Sequence, residues 1–400
     1  MALTAIVALV VLMVIVLGLA TLATGVLRSG SHTARVRGLT NLSAAGLQYG
    51  YWQYDFNYAA LPYTATRSFG TGQFTVTAQE NSASVANTIF VSSTATINNE
   101  TMTSSHVFPH LPNVFYVPDS SNNRIAAFTN LAGANWQTYG SYGAGYAQFS
   151  APTKAAVDNK GRFYIVDAGN NRIVRVNDTT GAGWQTCGSF GILAQQFNMP
   201  TDMAFDQSGK VYITDTLNQR IVKMDDIGGG GWKTYGFFGL GLFAGEFNAP
   251  RGIAFDSSGR IYIVDTGNNR IVRIDDMTGK NWVSYGSYGA GIGKFNAPVG
   301  IYIDSANRIY IAESGGCRID RMDDMTGTNW IAYGSSGSGI GQFNGCNRIT
   351  LDFAGRIYVT DQNNGRIIRL SDMYGSGWVQ FGSQGGGVNQ FNSPSGFFIQ

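Results

Sequence analysis

An acid and an arginine recur together from residue 119 onward, always five residues apart. A carboxylate and a guanidinium form strong, geometrically specific ion pairs, so this spacing across a tight turn predicts a pair that joins neighbouring strands or neighbouring repeats. Repetition in near-identical form indicates a structural role, because a catalytic or binding site would need one copy to differ from the others. The pairs are Asp119 with Arg124, Asp167 with Arg172, Asp215 with Arg220, Asp265 with Arg270, Glu313 with Arg318, and Asp361 with Arg366.

Paired acids and recurring aromatic residues are further candidates. The acids precede glycine-containing turns, where they are able to bind calcium, but turn capping by Asp is commoner and we favour it. They are Asp225 and Asp226, Asp275 and Asp276, and Asp323 and Asp324. We interpret the aromatic residues as packing between repeats rather than ligand cages, because each buries a large area. They are Trp136, Trp184, Trp232, Trp282, Trp330 and Trp378, with Phe149, Phe197, Phe247, Phe295, Phe343 and Phe391.

Metal and nucleic-acid chemistry are both disfavoured. The three histidines, His32, His106 and His110, all precede the repeats, and no cysteine spacing matches a zinc site. We therefore expect no cofactor, no metal site and no enzymatic activity. The formal net charge of +2 is too small to attract a polyanion, which argues against nucleic-acid binding.

Two cysteines interrupt the repeat. Cys317 stands where other copies have Asn or Gln before the arginine, and Cys346 stands where other copies have Pro. Both positions fall on one face of adjacent repeats, so a disulfide between them is one prediction for an oxidising environment, and two free thiols are the alternative. Cys187 replaces Tyr or Phe and is interpreted as a buried apolar residue.

The repeats occur at intervals of 48 or 50 residues and each contains four short alternating runs, which is typical of a propeller blade. Residues 248–256, followed by Asp265 and Arg270, closely resemble the NHL repeat, and the resemblance extends over all six copies. It implies a six-bladed β-propeller over residues 111–400. Because residues 394–400 align with residues 250–256, the C-terminal strand is predicted to close the first blade.

The N-terminal region has a different composition. Residues 1–27 contain no charged residue, and a segment of this length is long enough to cross a bilayer as a helix. The apolar spacing continues past Arg28, and Pro62 ends it, which predicts a helix over residues 1–58. Strand patterns at residues 73–77, 88–91 and 95–97 then predict a small β-domain over residues 59–110.

The first residues resemble the N-terminus of type IV pilins, particularly the minor-pilin type. The resemblance is carried by Met1, Leu3, Leu9, Leu12 and Leu17, and it implies that a leader is removed before Met1 and that the helices bundle into a filament. One difference is Ala5, since most pilins have Glu at this position to pair with a neighbour's N-terminal amine. The predicted fold class is therefore mainly β, with a long hydrophobic N-terminal helix, a pilin-like antiparallel sheet and the propeller.

These observations predict a structural subunit of an extracellular, type IV pilus-like filament that displays the propeller for adhesion or for protein or glycan interaction. Its expected partners are other copies of itself through the N-terminal helix, the inner membrane before assembly, and an unknown surface ligand on the propeller. The alternative is a minor tip adhesin or a membrane-anchored NHL binding module that does not polymerise.

Overall fold

The computed structural model describes residues 43, 63–69, 72–80, 88–97, 100–109, 114–352 and 354–399. The chain divides into two compact units, Met1–Pro112 and Asn113–Gln400. Among the described residues, the first unit contains one four-stranded sheet, and the second contains six four-stranded sheets and five two-stranded pairs.

The sheet of the first unit is an antiparallel meander of β1 (Tyr63–Phe69), β2 (Gly72–Glu80), β3 (Thr88–Ile97) and β4 (Glu100–Pro109). Alternate residues of β2 and β3, among them Phe74 and Val91, are buried, as the period of a strand requires. The sequence predicted two strands where β3 is one. Ser93 continues the alternation in its middle, because it is buried and its carbonyl accepts a hydrogen bond from Ser43 Oγ at 3.0 Å.

The predicted fold class needs a correction. Within the described ranges, the helical elements are 3₁₀ turns of three residues and the single helical position Ser43, so the fold that the structure supports is mainly β. The helix predicted over residues 1–58, with Met1, Leu3, Ala5, Leu9, Leu12 and Leu17, falls outside the described residues except at Ser43. The described part of the chain also shows no helix with the length and apolarity needed to cross a membrane.

The second unit is a β-propeller of six blades, each a sheet of four antiparallel strands. In blades 1 to 6, the inner strands are Phe398–Ile399, Pro152–Val157, Pro200–Phe205, Pro250–Phe255, Pro298–Ile303 and Cys346–Leu351. The second strands are Phe115–Asp119, Phe163–Asp167, Val211–Asp215, Ile261–Asp265, Ile309–Glu313 and Ile357–Asp361. The third strands are Arg124–Phe128, Arg172–Val176, Arg220–Met224, Arg270–Ile274, Arg318–Met322 and Arg366–Leu370. The outer strands are Gln137–Tyr139, Gln185–Cys187, Lys233–Tyr235, Val283–Tyr285, Ile331–Tyr333 and Val379–Phe381.

The ring closes within blade 1, where the C-terminal strand pairs with the first propeller strand, as the sequence predicted. Phe398 lies opposite Tyr116 and Ile399 opposite Phe115, and Pro394 forms a bridge with Asp119. The C-terminal strand thus covers the edge of Phe115–Asp119 that would otherwise be unpaired.

In blades 2 to 6 the second strand is buried along its whole length because the neighbouring blades cover both of its faces, and in blade 1 only Tyr116 is partly exposed. Apolar clusters therefore span adjacent blades; one joins Ile221 of blade 3 to Ile253 and Ile263 of blade 4. The six repeated phenylalanines are fully buried, and each packs against a tryptophan, as Phe247 does against Trp282 with ring centroids 5.5 Å apart. These aromatic pairs hold the blades together.

Two kinds of segment share one face of the propeller, which we call the turn face. The first is the turn between the second and third strands, which forms a 3₁₀ helix in five blades: Ser120–Asn122, Ala168–Asn170, Thr216–Asn218, Thr266–Asn268 and Gln362–Asn364. The second is the linker from each outer strand to the next inner strand. Short parallel pairs fold the linkers: Ser141–Tyr142 with Gln148–Phe149, Phe237–Phe238 with Glu246–Phe247, Ser287–Tyr288 with Lys294–Phe295, Ser335–Ser336 with Gln342–Phe343, and Ser383–Gln384 with Gln390–Phe391. In the remaining linker, Phe190 forms a bridge with Phe197.

Candidate functional site

The acid–arginine pairs lie at the turn face and tie each turn to the incoming linker. In blade 4, Arg270 Nε donates to Asp265 Oδ2 at 2.8 Å, and its two terminal nitrogens donate to the carbonyls of Gly241 and Glu246, both at 2.7 Å. Asp265 Oδ1 accepts the backbone N–H of Asn248 at 2.7 Å. Every polar group of the pair is thus used inside the protein.

The other five pairs have the same arrangement, with nitrogen–oxygen distances of 2.7 or 2.8 Å. Their acids are completely buried. Burial raises the pKa of four of these carboxyl groups, although hydrogen bonds from the backbone and from Asn and Arg side chains act in the opposite direction; the four are Asp119, Asp167, Asp215 and Asp265. These contacts are those of a structural clamp.

The centre of the turn face is different, because here the blades are not alike. Each inner segment begins with Pro, or with Cys346 in blade 6, and the residue two positions later faces the axis. It is glycine in blades 1, 4 and 5 and charged in blades 2, 3 and 6: Gly396, Gly252, Gly300, Lys154, Asp202 and Arg348. A Cβ on Gly252 would lie 2.5 Å from the carbonyl oxygen of Val299, so this position allows close approach of neighbouring inner strands.

The three charged side chains form one network across the channel. Arg348 of blade 6 extends to the opposite blade, where its guanidinium donates to the Thr201 carbonyl at 2.7 Å and lies 3.3 Å from Asp202 Oδ2. Lys154 Nζ lies 3.6 Å from the other oxygen of Asp202. Asp202 also accepts the backbone N–H of Ile253 at 3.1 Å. One buried carboxylate therefore faces two cations.

A third cation, Arg251 of blade 4, lies at the same end of the channel. Its side chain is exposed and makes no ion pair or side-chain hydrogen bond within the described residues. Nearby protein atoms partly desolvate the Arg251 side chain, and this desolvation, together with the charge of Arg348, lowers the pKa of Arg251. Burial also lowers the pKa of Lys154; Asp202 opposes this shift and Arg348 adds to it. With three cations and one carboxylate, the channel mouth has an excess of positive charge.

Blade 5 carries a second irregularity, which is sealed from solvent. Asp320, on the third strand, stands where the other blades have Ala, Val or Ile, and it is fully buried beside Glu313 and Arg318. Arg318 Nε lies 3.3 Å from Asp320 Oδ1 but donates its hydrogen bond to Glu313, at 2.8 Å. Burial raises the pKa of Asp320 well above its ordinary value, and the hydrogen bond to Glu313 and the charge of Glu313 raise it further.

The two cysteines meet at the boundary of blades 5 and 6. Cys346 is buried in an apolar cluster against which Cys317 packs, and both are free thiols in the structure, without the disulfide that the sequence suggested. Burial raises the pKa of the Cys346 thiol well above its ordinary value, with Asp361 and Cys317 contributing in the same direction. The disulfide stays a prediction for the oxidised protein.

The paired acids lie in exposed turns on the opposite face. Asp276 Oδ1 accepts the backbone N–H of Thr278 at 2.8 Å and also its hydroxyl, and Asp324 does the same with Thr326. These are turn-capping contacts, and the described residues contain no group of three acids, histidines or cysteines placed to hold a metal ion.

Sequence reasoning missed the channel network. It compared the residues that all copies share, whereas Lys154, Asp202, Arg251 and Arg348 occupy positions at which the copies differ. Their signal was present in the aligned repeats: Lys154, Asp202 and Arg348 stand at a position that is glycine in the other three blades, and Arg251 stands at a position that is uncharged in the other five.

Comparison with known proteins agrees with this architecture. The NHL repeat model matches residues 197–224 and 247–274, which lie in blades 3 and 4. No curated protein sequence matches the chain. Among solved structures, it is similar to a protein of unknown function from Bacteroides caccae, with a TM-score of 0.51 and 11% identity over 72% of this chain and 99% of that one.

Two lyases are similar at lower TM-scores. A streptogramin B lyase has a TM-score of 0.48 and 18% identity, covering 71% of this chain and 91% of that one. A virginiamycin B lyase from Staphylococcus aureus has a TM-score of 0.46 and 14% identity, covering 77% and 88%. At these identities the likeness concerns the fold alone, and the chain is a β-propeller with NHL repeats.

Proposed function

We propose that this chain, a β-propeller with NHL repeats, is a non-catalytic binding module that holds an acidic group of its partner at the turn-face mouth of the central channel. The observation that carries the proposal is the exposed, unpaired guanidinium of Arg251 beside the buried cation Arg348. Like charges held this close repel each other, and an incoming carboxylate or phosphate would relieve that repulsion.

The site offers recognition rather than turnover. Its only carboxylate among the described residues that line it, Asp202, is engaged by Lys154, Arg348 and the backbone of Ile253, so it is not available as a base. The remaining groups are fixed cations and hydrogen-bond donors. Guanidinium groups suit carboxylate and phosphate oxygens because their donors match that geometry.

The proposal is tested by measuring the melting temperature of the full chain with inorganic phosphate and, separately, with an acetylated glutamate peptide. A ligand at about 100 times its Kd stabilises by about 2.7 kcal/mol, which corresponds to a rise of about 5 °C in a domain of this size. Arg251→Gln should abolish the rise. Lys280→Gln removes the same charge from an exposed position on the opposite face and should leave the rise unchanged.

Comparing the two probes shows whether the site prefers a carboxylate or a phosphate, since Arg251 is needed for either. Binding should also weaken as salt increases, because an exposed charge is screened. An equal rise in the Arg251→Gln chain, or no rise with either probe in the unaltered chain, would overturn the proposal.

We further propose that the propeller is displayed on an extracellular filament built from copies of this chain, with a membrane-associated stage before assembly. The support comes from the uncharged residues 1–27 and from the resemblance to pilins, although Ala5 departs from that resemblance; all of these residues lie outside the described ones. Electron microscopy of material shed from expressing cells tests this. Fibres composed mainly of the chain would support it, and cells without fibres would count against it and favour the non-polymerising module.

A further inference from the structure

The linkers on the two sides of blade 3 expose an unusual number of large apolar side chains. Residues 188–197 present Phe190, Ile192 and Leu193, and residues 236–247 present five more: Phe237, Phe238, Leu240, Leu242 and Phe243. The exposed fraction is 76% for Leu242 and at least half for each of the others. Leu217, on the turn of blade 3, is also half exposed.

Both linkers contact the turn that separates them, so these side chains form one surface. Asn218 Nδ2 donates to the Gly191 carbonyl at 2.8 Å, and the backbone N–H of Leu217 donates to the Asn198 carbonyl at 3.0 Å. On the other side, Gln219 Oε1 accepts the backbone N–H of Ala249 at 2.5 Å. We call this surface the blade 3 patch.

The propeller fold does not require the blade 3 patch. The corresponding linker between blades 5 and 6 has Ser335, Ser336 and Ser338, and Ile340 is its one large exposed apolar residue. Every linker keeps its buried phenylalanine, Phe247 and Phe343 among them, and so holds the blades equally well. The apolar residues around blade 3 therefore serve something outside the ring.

The blade 3 patch is large enough for a stable interface. With aromatic side chains of about 200 Å² each, its exposed apolar area is on the order of 1,000 Å². The largest apolar patch on a typical monomer is roughly 300–600 Å², and a standard protein interface buries about 800 Å² per partner.

The patch also has little charge to satisfy. Its acid, Glu246, is turned inward, where its carboxylate accepts the backbone N–H groups of Leu242 at 2.8 Å and Phe243 at 3.2 Å. A two-fold contact places a surface against its own copy, so that any charge near the axis meets its like. An apolar surface without unpaired charges can pack against its own copy without bringing like charges together.

We propose that the blade 3 patch is a self-association surface, where the propeller of one chain packs against the blade 3 patch of a second copy around a two-fold axis. This contact joins propellers, so it is independent of any assembly through residues 1–27 and of ligand binding at Arg251. It would add lateral contacts between copies that are held at the same surface.

The test uses the full chain in intact expressing cells. Leu240→Cys is treated with a short bismaleimide, and the cross-linked dimer is measured by gel electrophoresis against the unsubstituted chain, whose own cysteines set the background. Ile340→Cys, in the linker between blades 5 and 6, is the matched control. We expect a dimer with Leu240→Cys at least tenfold above background, and background alone with Ile340→Cys.

Adding Leu242→Asp to Leu240→Cys should reduce the dimer at least tenfold, because a carboxylate in an apolar interface loses its hydration without gaining a partner. Adding Ile340→Asp instead should leave the dimer unchanged. Far-ultraviolet circular dichroism and the melting temperature will show whether both variants are folded. We expect both to fold, because Leu242 and Ile340 are highly exposed. Equal cross-linking at positions 240 and 340, or a dimer insensitive to Leu242→Asp, would overturn the proposal.

Discussion

Replacing Asp320 by valine should stabilise the propeller, although the substitution removes a charged group next to an arginine. Asp320 is fully buried, and neither of its oxygens accepts a hydrogen bond. Burial and the neighbouring acid Glu313 both raise the pKa of Asp320, so its ionised form is disfavoured at this position. Arg318 is already paired with Glu313 at 2.7 Å, so removing Asp320 leaves that clamp complete.

The magnitude follows from the cost of burying such a group. A buried polar group without its partners costs about 1–3 kcal/mol, and replacing buried ionic groups by apolar residues has stabilised other proteins by about 1–4 kcal/mol. Valine is the residue that blades 2, 3 and 4 have at this position, so the space accepts it. We expect Asp320→Val to raise the free energy of unfolding by about 1–3 kcal/mol at pH 7, and Asp320→Asn to give a smaller gain.

The pH dependence separates this explanation from improved packing alone. Because the pKa of Asp320 is higher in the folded than in the unfolded protein, its contribution is most favourable below the unfolded value of 3.8 and is lost as pH rises towards the folded pKa. The stabilisation by Asp320→Val should therefore be smallest near pH 4 and grow with pH. Measuring the difference between variant and parent cancels the titrating groups that do not interact with Asp320, so the difference reports on Asp320 together with its neighbour Glu313.

Urea unfolding followed by tryptophan fluorescence, at several pH values between about 4 and 8, gives the required free energies. The reasoning is refuted if Asp320→Val lowers the free energy of unfolding at pH 7. It is also refuted if the difference between variant and parent is the same at every pH.

Three further substitutions test the structure by the same unfolding assay. Cys317→Asn should stabilise by about 1 kcal/mol, because Asn tolerates the left-handed backbone at this position (φ 49°) and in other blades accepts a hydrogen bond from the residue equivalent to Gly345; no gain would contradict this account of the turn. Asp202→Asn should destabilise by roughly 3 kcal/mol, since two cations lose their counter-charge; a neutral result would mean that they are not paired there. Gly286→Ala should cost about 1–3 kcal/mol, because its φ is +111° and a Cβ would lie 2.5 Å from the ring of Phe295; a loss below 0.5 kcal/mol, roughly the effect of an ordinary surface change, would refute it.

The propeller could be predicted from sequence because its information is repeated. A buried second strand such as Ile261–Asp265 and the buried Phe247 recur in register, and the same register shows that residues 394–399 complete blade 1. Agreement among six copies compensates for the weak signal of any single short strand.

Elsewhere the pattern was less informative. The strands β1 and β4 were missed because Thr and Ser are frequent in them and their apolar pattern is weak: Arg67 interrupts it in β1, and Met102 is the one apolar residue of β4 before Val107. The split of β3 into two strands had the same cause, since Ser92, Ser93 and Thr94 look like a turn although Ser93 is buried in the sheet. A strand without a regular alternation of apolar and polar residues cannot be told from a loop by its hydrophobic pattern.

The candidate site was hidden by the very regularity that made the fold predictable. The six acid–arginine pairs are alike, so they do not mark any one blade as a site. Their hydrogen bonds hold the turns to the linkers. The features that the fold does not need are instead exceptions: Arg251 where the equivalent residues are uncharged, Asp202 and Arg348 where three blades have glycine, and the apolar linkers beside blade 3. Two of these exceptions cost stability, Arg251 through repulsion by Arg348 and the apolar linkers through their exposed surface. The other blades show that the same fold forms without these features, so we infer that binding to a partner compensates for the lost stability. We therefore place both the ligand and the second copy on the turn face near blades 3 and 4.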